Sequence, residues 1–397
     1  MRHDADVVIV GAGPSGCAAA ITLRRRGYRV LMIDRATFPR DKPCGDYCDP
    51  GALEALDDLG CLAPVLHAGA SPIGGMRIVA QDGTTIDPRF PAGGQGLLLR
   101  RFVLDAELVA AAAAAGSEVA DGTPVIDVQI DAGRVNVQTR RGSRPLTAAV
   151  AIVCDGMHSA IVRQLGLLAG MASRRYTLGA YFTGLDGPTS QARGELHLGA
   201  GRYGGVARFS GGLANVCLAL PRDALARRSA EQAFREGLRS FPRLADELSG
   251  ARRESPFRAS GPIGFRTNRM VAGRVMLAGD AAAQVDPMTG QGIFFALRSG
   301  MLAGETAAAA LAAGGPTAAR LDAYRRRRRA AFGPQLRAAR LLQILALRPH
   351  LTPWLIRRLS AHPHLASELV GVTGDLLPPS AILNAVYAAR LLVGHRP

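Results

Sequence analysis

The sequence predicts an α/β protein with a Rossmann-like nucleotide-binding domain, because two glycine-rich turns each follow a strand-like run and precede a helix-like run. The first turn, Gly11 to Gly16, follows the apolar run Val7 to Val10. The second turn, Gly279 to Gly292, follows Arg274 to Ala278. Strand–turn–helix units of this kind bind nucleotide phosphates. Two such units so far apart indicate one long cofactor held at both ends, and FAD fits this pattern better than NAD.

The first turn has the residue types that a dinucleotide-binding βαβ unit requires. Its first two glycines permit a tight turn and a close approach of backbone N–H groups to a pyrophosphate, and its third permits close packing of the helix on the strand. Asp34 ends the second predicted strand, where a carboxylate suits the ribose hydroxyls. The predicted cofactor contacts in this unit are Gly11, Gly13, Pro14, Ser15, Gly16, Asp34 and Arg35.

The second turn supplies groups suited to the other end of the cofactor. Asp280 is expected to accept hydrogen bonds from ribityl hydroxyls, Pro287 stiffens the turn, and the following glycines let the backbone approach a planar ring. A helix that begins near Gln291 would stabilise negative charge on a reduced flavin by about 0.3–2 kcal/mol. The predicted cofactor contacts here are Gly279, Asp280, Pro287, Gly290, Gln291, Gly292 and Ile293.

A third glycine-rich segment, Gly199 to Gly204, matches the same pattern but is not followed by a helix-like run. Without a helix N-terminus there is nothing to bind a phosphate. The segment is therefore predicted to be a hairpin in a sheet, and no separate NAD(P)H-binding domain is expected. NAD(P)H or another reductant would then act as an external electron donor.

Charge and cysteine usage narrow the class of protein. The formal net charge is +16, and the densest basic run is Arg325 to Arg329. Such a run is consistent with a solvated helix face, with anionic lipid or an acidic ligand, or with nucleic acid, and the last is disfavoured because no binding module accompanies it. The spacing of Cys44, Cys48, Cys61 and His67 lacks paired Cys-x-x-Cys units, so no metal site is predicted.

The domain organisation is predicted from changes in pattern along the chain. No run of about 18 apolar residues is present, and the N-terminus leads directly into a strand, so a cytoplasmic location is expected. Arg222 to Phe241 is predicted to be one helix, and prolines 334, 349, 353, 363, 378 and 379 are predicted to divide the C-terminal part into short helices. The predicted units are an FAD-binding domain (1–70, 97–169 and 270–330), an inserted β-sheet substrate domain (71–96 and 170–269) and a C-terminal helical region (331–397).

Three motifs resemble the FAD motifs of p-hydroxybenzoate hydroxylase-type flavoproteins. They are Gly11 to Gly16, Cys154-Asp155-Gly156 with Ser159, and Gly279 to Gly292. Within that superfamily the chain is most similar to the geranylgeranyl reductase family. The segments that carry this likeness are Lys42-Pro43-Cys44-Gly45-Asp46, Pro287 to Ala296 with Ser299-Gly300, and Arg101-x-x-Leu104-Asp105-x-x-Leu108, and the resemblance covers about residues 1 to 330.

The resemblance implies that Cys44 and Gly45 lie beside the flavin ring and that Arg101 helps to hold the cofactor. A plain buried thiol is the alternative for Cys44. Further predicted cofactor contacts are Val125, Asp155 and Gly156. The family's Tyr-x-Trp-x-Phe-Pro segment corresponds here to Tyr203 to Arg208, where only the tyrosine is kept. Tyr203 is a candidate proton donor, with packing as the alternative.

The expected function is FAD-dependent oxidation–reduction of a lipophilic, isoprenoid- or polyketide-like molecule, with reduction of a carbon–carbon double bond by FADH2 as the first choice and Cys44 and Tyr203 as candidate catalytic residues. One alternative is a monooxygenase that hydroxylates an aromatic or polyketide-like substrate, since fold alone does not decide the chemistry. A non-enzymatic alternative is a prenyl- or lipid-binding escort protein. Peripheral contact with a membrane through the basic C-terminal region is also predicted, nucleic acid is not, and the oligomeric state is left open.

Overall fold

The strand before the first glycine turn forms the centre of a mainly parallel sheet in the computed structural model, which describes residues 3–171, 175–185 and 191–392. Ala5–Val10 pairs in parallel with Val30–Ile33 on one side and with Leu146–Val153 on the other. These strands are buried almost throughout, as expected for a parallel sheet covered on both faces. The sheet contains Ala5–Val10, Val30–Ile33, Glu118–Ala120, Val125–Ile130, Val135–Thr139, Leu146–Val153, Val271–Ala272 and Val275–Leu277.

Two helices cross closely on one face of this sheet. Pro14–Arg24, the first-turn helix, packs against Gly292–Ala312, the second-turn helix. A Cβ atom at Gly300 would lie 2.1 Å from the Ser15 carbonyl oxygen. The absence of side chains at the crossing lets the two backbones touch, and this brings both glycine turns to one place. Other helices are Pro50–Asp58, Leu62–His67, Arg101–Ala114, Ala160–Gln164 and Ala318–Leu321.

A second sheet, the substrate-side sheet, is mostly antiparallel. It contains Met76–Val79, Thr85–Ile86, Arg175–Thr183, Arg193–Gly199, Arg202–Arg208, Leu213–Pro221, Arg252–Arg253 and Arg258–Ser260. A small three-stranded sheet contains Tyr47–Cys48, Gly96–Leu98 and Ser71–Ile73. A two-stranded sheet pairs Leu168–Met171 with Phe265–Thr267. The hairpin predicted at Gly199 to Gly204 is confirmed, because Gly199 pairs with Arg202 across a turn in which Gly201 has a φ of +69°.

One face of the substrate-side sheet packs on short helices. The prediction of a single helix from Arg222 to Phe241 is wrong, since the structure has Arg222–Leu225, Ala230–Leu238 and Pro242–Glu247. Ser229 explains the break: its hydroxyl accepts a hydrogen bond from the backbone N–H of Gln232, whose side chain accepts one from the Ser229 N–H. This capping box starts a new helix and ends the earlier one.

The opposite face of the substrate-side sheet is covered by the C-terminal helices Ala323–Ala346, Leu351–Ala361, Pro363–Thr373 and Ala385–Leu392. The prediction that Pro334 ends a helix is wrong, because Ala323–Ala346 continues through it. Phe332 packs against Phe295 on one side of the proline, and Ala338 is buried on the other. This packing outweighs the loss of one backbone hydrogen bond. None of the described helices is long and apolar enough to cross a membrane.

A carboxylate pair, the buried Asp49 and the half-buried Asp375, lies where the C-terminal helices meet the second turn. Gln291 donates a hydrogen bond from Nε2 to Oδ2 of Asp375 at 2.8 Å, and the Gly51 N–H donates to the Gly374 carbonyl at 3.0 Å. Oδ1 of Asp375 and Oδ2 of Asp49 are buried without a hydrogen-bond partner among the described residues. Burial raises the pKa of Asp375 to about 7, and burial together with the Asp375 carboxylate raises the pKa of Asp49. The pair therefore retains a proton near neutral pH.

The helix crossing predicts a large effect of Gly300→Val. The added side chain would meet the Ser15 backbone, so we expect a loss of about 1–3 kcal/mol or more in the free energy of unfolding. Thermal unfolding of Gly300→Val and of Ala309→Val, an exposed position on the same helix, provides the comparison. Equal melting temperatures for the two variants would contradict the inferred close contact.

The carboxylate pair predicts a pH dependence of stability. Because the folded-state pKa of Asp375 is raised from 3.8 to about 7, the folded protein keeps a proton that the unfolded chain releases, and stability is lost as the pH rises through this window. We expect Asp375→Asn to remove about 1–3 kcal/mol of that loss. Urea unfolding at several pH values measures it, with Asp57→Asn, an exposed carboxylate, as control. Parallel pH profiles for wild type and Asp375→Asn would refute the prediction.

Candidate functional site

The first glycine turn is shaped by contacts with the backbone around it. Gly11 has a φ of +104°, and a Cβ atom there would lie 2.5 Å from the Cys154 carbonyl oxygen. A Cβ atom at Gly16 would lie 1.9 Å from the Gly11 oxygen. The first-turn helix begins at Pro14, with Gly13 at its N-cap and no side chain capping it. Its free N–H groups therefore remain available to an anion.

Asp34 lies at the end of the second strand, as predicted, and its carboxylate supports the turn. Oδ2 accepts a hydrogen bond from the Ala12 N–H at 2.7 Å, and Oδ1 accepts one from the Ala36 N–H at 2.8 Å. Asp34 is buried, whereas Arg35 next to it is exposed. Each carboxylate oxygen can accept a further hydrogen bond. The position therefore serves the turn and leaves acceptor capacity for a ribose.

Three cationic side chains surround the N-terminus of the first-turn helix. Asp105, which is fully buried, accepts two hydrogen bonds from Arg101 at 2.9 and 2.8 Å and pairs with Arg40 at 2.9 Å. Arg40 lies 3.6 Å from the point where a Gly13 Cβ would be, and Lys42 lies 3.7 Å from the equivalent point at Gly156. Three positive charges share one buried negative charge, so the cluster attracts an anionic group such as a diphosphate.

The second glycine turn faces the same space from the other side. Gly290 has a φ of +77°, and a Cβ atom there would lie 2.6 Å from the Tyr47 ring. The second-turn helix begins at Gly292 with no side-chain cap. Asp280 lines the cavity between the turns, and no hydrogen bond to its carboxylate is formed by the described residues. The turn thus offers a free acceptor and an open helix N-terminus.

Cys44 lies in a loop that a buried carboxylate fixes in place. Asp46 is fully buried with a φ of +55°, and it accepts hydrogen bonds from the Tyr181 hydroxyl, from Asn215 Nδ2 at 2.7 Å and from the Arg101 N–H at 3.1 Å. Asn215 also donates to the Cys44 carbonyl at 2.7 Å. Burial raises the pKa of Asp46 to about 6. Burial also raises the pKa of the Cys44 thiol, and the positive charge of Arg101 partly offsets this increase.

Tyr203 is buried and lies across the cavity on a strand of the substrate-side sheet. Its hydroxyl donates a hydrogen bond to Oδ1 of Asp286 at 2.6 Å, and Arg175 donates to Oδ2 of the same carboxylate at 2.7 Å. Burial, followed by the Asp286 carboxylate, raises the pKa of Tyr203 well above its usual value. The phenol therefore stays protonated, and its orientation is fixed.

These groups line one cavity, the inner cavity. The sequence-predicted residues at its wall are Gly13, Pro14, Ser15, Cys44, Gly45, Arg101, Gly156, Tyr203, Gly279, Asp280, Pro287, Gly290, Gly292 and Ile293. Wall residues that had no predicted role are Lys42, Pro43, Tyr47, Cys154, Met157, Thr177, Gly205, Cys217, Ala219, Ser260, Ile263, Gln284, Val285 and Ala296. Lys42 and Pro43 belong to the Pro-Cys-Gly segment and were detectable there. The wall residues on strands of the substrate-side sheet belong to no sequence motif that would have predicted their position at the cavity.

A second, largely apolar space, the outer cavity, adjoins the first. It has a volume of about 390 Å³ and lies between the substrate-side sheet and the C-terminal helices. Gly45, Tyr47, Tyr203, Gly205, Pro287 and Gly290 line both cavities. Leucines and isoleucines of the C-terminal helices form much of its outer wall, among them Leu342, Leu345, Ile356, Leu359 and Leu369. The two spaces therefore meet at Tyr203 and the second turn.

Known proteins with similar sequences identify the family. A family model described as an FAD binding domain matches residues 4–338. The menaquinone reductase of Mycobacterium tuberculosis is 34% identical over 325 residues, which cover 76% of each chain. A digeranylgeranylglycerophospholipid reductase of Methanothrix thermoacetophila is 31% identical over 343 residues, which cover 83% of this chain and 84% of the relative. The chain belongs to the FAD-binding domain family.

This flavoprotein is an FAD-dependent oxidoreductase, and its predicted likeness to geranylgeranyl reductases is confirmed. The fold of p-hydroxybenzoate hydroxylase-type flavoproteins is also confirmed, since solved structures of that kind superpose on it. The flavin-dependent brominase Bmp2 gives a TM-score of 0.83 at 21% identity, covering 98% of this chain and 99% of that one. A flavoprotein/dehydrogenase from Cytophaga hutchinsonii gives 0.83 at 20% identity, covering 98% of both. Membership of an enzyme family favours catalysis over the escort alternative.

The inner cavity fits FAD. The uncapped N-terminus of the first-turn helix and the cations Arg40, Lys42 and Arg101 suit its diphosphate. Asp280 offers free acceptors for ribityl hydroxyls, and space is open at Gly45 and Gly292, where a Cβ atom would meet nothing within 4 Å. These donors, acceptors and spaces would hold the diphosphate, the ribityl chain and the ring system.

Seven predicted cofactor contacts are outside the wall of the inner cavity. Gly11, Gly16 and Asp34 shape the first turn, as described above. Asp155 follows the strand Leu146–Val153 and has one buried oxygen without a partner among the described residues, which leaves it able to bind a ligand group. The remaining three are Arg35, which is exposed, Val125, which begins a strand of the first sheet, and Gln291, which donates a hydrogen bond to Asp375. Their contact with FAD stays a prediction.

Arg40 was absent from the sequence prediction, and its place beside Gly13 predicts a role in FAD binding. We expect Arg40→Gln to raise the Kd for FAD about 10- to 100-fold, because a charge-assisted hydrogen bond to the diphosphate is lost. Titration of the apoprotein with FAD, followed by flavin fluorescence, measures this. Arg222→Gln, an exposed and remote arginine, is the matched control. An unchanged Kd for Arg40→Gln would remove Arg40 from the site.

Proposed function

We propose that this flavoprotein reduces a carbon–carbon double bond in a lipophilic, isoprenoid-like substrate. The observation that carries the proposal is the outer cavity, an apolar space of about 390 Å³ that meets the inner cavity at Tyr203. This volume lies within the usual range for small-molecule sites. Its walls are mostly aliphatic, so a hydrocarbon chain would be stabilised there and a polar substrate would be desolvated at a cost. Relatives named for menaquinone and for a digeranylgeranyl phospholipid support the same class.

Reduction of a double bond needs a hydride at one carbon and a proton at the other. FAD, when bound and reduced, supplies the hydride, and an external donor such as NAD(P)H or another reductant must restore its two electrons. The proton must come from a group that reaches the junction of the two cavities. Cys44 lines the inner cavity, and Tyr203 lines both. These are the two candidates.

Electrostatics favour Cys44 as the proton donor. When an acid gives up its proton, the anion left behind must be stabilised by its surroundings. Burial raises the pKa of both groups, but the strongest charge effect differs: Arg101 lowers the pKa of the Cys44 thiol more than Asp46 raises it, whereas Asp286 raises the pKa of the Tyr203 phenol more than Arg175 lowers it. Tyr203 is better suited to position the substrate, with Asp286 and Arg175 fixing its ring.

Hydroxylation of an aromatic or polyketide-like substrate is the second candidate. The observation in its favour is the fold, which is shared with flavin enzymes of other chemistries such as a brominase. Since fold does not determine reaction, the distinction must come from the substrate and from oxygen. Reduction is favoured because the wall of the outer cavity is aliphatic and because the protonated thiol of Cys44 can donate the proton that reduction of a double bond requires.

An anaerobic single-turnover experiment separates the two functions. The flavoprotein is reduced without oxygen and mixed with a polyprenyl quinone or a geranylgeranyl lipid in detergent, and the return of oxidised-flavin absorbance is followed. Reduction of a double bond predicts that the absorbance returns without oxygen and that the product, after any quinol is reoxidised to quinone, still carries two additional hydrogen atoms in its prenyl chain by tandem mass spectrometry. A product that gains an oxygen atom, only when oxygen is admitted, would overturn the proposal in favour of the hydroxylase.

Substitutions at Cys44 and Tyr203 test which of the two residues donates the proton. We expect Cys44→Ala to slow double-bond reduction by about 10²–10⁴-fold while FAD binding is kept, because the positioned acid is lost. Cys44→Ser should recover little of this, since a serine hydroxyl is a far weaker acid than a thiol. Tyr203→Phe should lower the rate by no more than about tenfold. The opposite order of effects would make Tyr203 the donor.

A further inference from the structure

The outer cavity reaches the surface between two C-terminal segments. Leu341 and Leu383 both line it, yet they are 42% and 41% exposed to solvent. Leu341 belongs to the helix Ala323–Ala346, and Leu383 lies just before the helix Ala385–Leu392. A residue that borders a cavity and also faces solvent marks its opening. The mouth of the outer cavity is therefore flanked by these two segments.

Large apolar side chains remain exposed next to this mouth. Ile344 is 48% exposed and lies three residues after Leu341, while Val386 is 59% exposed and lies three residues after Leu383. On the helix Ala323–Ala346, residues three apart share one face, so Ile344 continues the face of Leu341, and Val386 lies in the first turn of the helix that follows Leu383. Exposed apolar side chains therefore continue outward from the cavity on both sides of its mouth, rather than being scattered singly over the surface.

Arginines share the same faces and lack acidic partners. Arg340 lies four residues before Ile344, and Arg390 lies four residues after Val386. Neither of them, nor Arg348 beyond the helix end, forms an ion pair with any acid that the structure describes. Residues 331–397 contain seven arginines but only two acidic residues, Glu368 and the half-buried Asp375.

Most arginines of the basic run Arg325 to Arg329 have partners within the protein. Arg325 and Arg326 pair with Asp322, and Arg327 pairs with Glu305. Arg328 is buried and stacks on a phenylalanine ring. Four of the five arginines of this run therefore have partners within the protein, whereas the arginines around the cavity mouth form no ion pair with a described acid.

We infer that this mouth surface, formed by Leu341, Ile344, Leu383 and Val386 with Arg340, Arg348 and Arg390, docks on an anionic phospholipid bilayer. Exposed apolar side chains would enter the interface, while the arginines bind lipid phosphates. Docking in this orientation places the mouth of the outer cavity against the bilayer, so that a lipophilic molecule passes from membrane to cavity without crossing water. The docking rests on the surface alone; only the delivery of substrate rests on the proposed function.

Co-sedimentation with vesicles tests the docking. The FAD-loaded wild type should bind phosphatidylglycerol vesicles, bind phosphatidylcholine vesicles more weakly and be released by salt. Ile344→Glu combined with Val386→Glu should weaken binding at least about tenfold, because charge replaces the inserted side chains. The matched control is Leu66→Glu with Ile126→Glu, which changes equally exposed apolar residues elsewhere. Arg340→Gln with Arg348→Gln should weaken binding to anionic vesicles by about tenfold or more.

The outcomes are distinct. Ile344 and Val386 are outside the cavity wall, so melting temperature, flavin spectrum and the rate with a detergent-solubilised short-chain substrate should be unchanged in the Ile344→Glu/Val386→Glu variant, while the rate with a vesicle-embedded substrate should fall. Equal vesicle binding by this variant and the wild type would refute the docking surface. So would self-association of the wild type, lost in the variant, without vesicle binding, since the surface would then join two copies. Vesicle binding without reduction of any embedded substrate would refute the proposed function and leave the docking intact.

Discussion

The close crossing of the first-turn and second-turn helices is the contact on which the site depends. Gly300 and Gly304 present no side chains to the Ser15 and Ala19 carbonyls, so the helices touch backbone to backbone. Each helix carries a glycine turn at its N-terminus. Because Ser15 of the first turn lies against Gly300 and also against Gly279 of the second turn, the two turns face one cavity although they are far apart in the sequence. A wider crossing would separate the groups expected to hold the diphosphate from those expected to hold the ribityl chain.

Two fully buried aspartates give this cavity its charge distribution. Asp105 holds Arg101 and Arg40 together, which concentrates positive charge beside the first-turn helix. Asp46 connects the Cys44 loop to Asn215 and Tyr181 of the substrate-side sheet. Arg101 contacts both systems, since its side chain bonds to Asp105 and its backbone N–H bonds to Asp46. The cofactor end and the reactive end of the cavity are therefore mechanically connected through one arginine.

A structural feature could be predicted from the sequence when residues close together in the chain determine it. The glycine turns, Asp34 and the Gly199 hairpin are specified by neighbouring residues, and their structures agree with the pattern. Arg40 and the partners of Asp46 could not be found, because Asn215 meets Asp46 only after the substrate-side sheet has formed. Pro334 was misjudged since burial of Phe332 and its neighbours outweighs a local helix-breaking preference. The break at Ser229, by contrast, was readable as a capping box before Gln232.

The C-terminal helices line the outer cavity, whereas the groups expected to bind FAD come from other parts of the chain. These groups lie at the two helix N-termini and in the Cys44 loop, and the outer cavity takes its wall from the substrate-side sheet and the C-terminal helices. Tyr203 and the second turn are where these walls meet. A substitution in the C-terminal helices alters the apolar wall without touching the diphosphate cluster. The tryptophan and phenylalanine of the family's segment correspond here to Gly205 and Ala207, and Gly205 lies in the wall of the outer cavity. The width of the outer cavity is therefore set by two parts of the chain together, and changes in one can be compensated by the other.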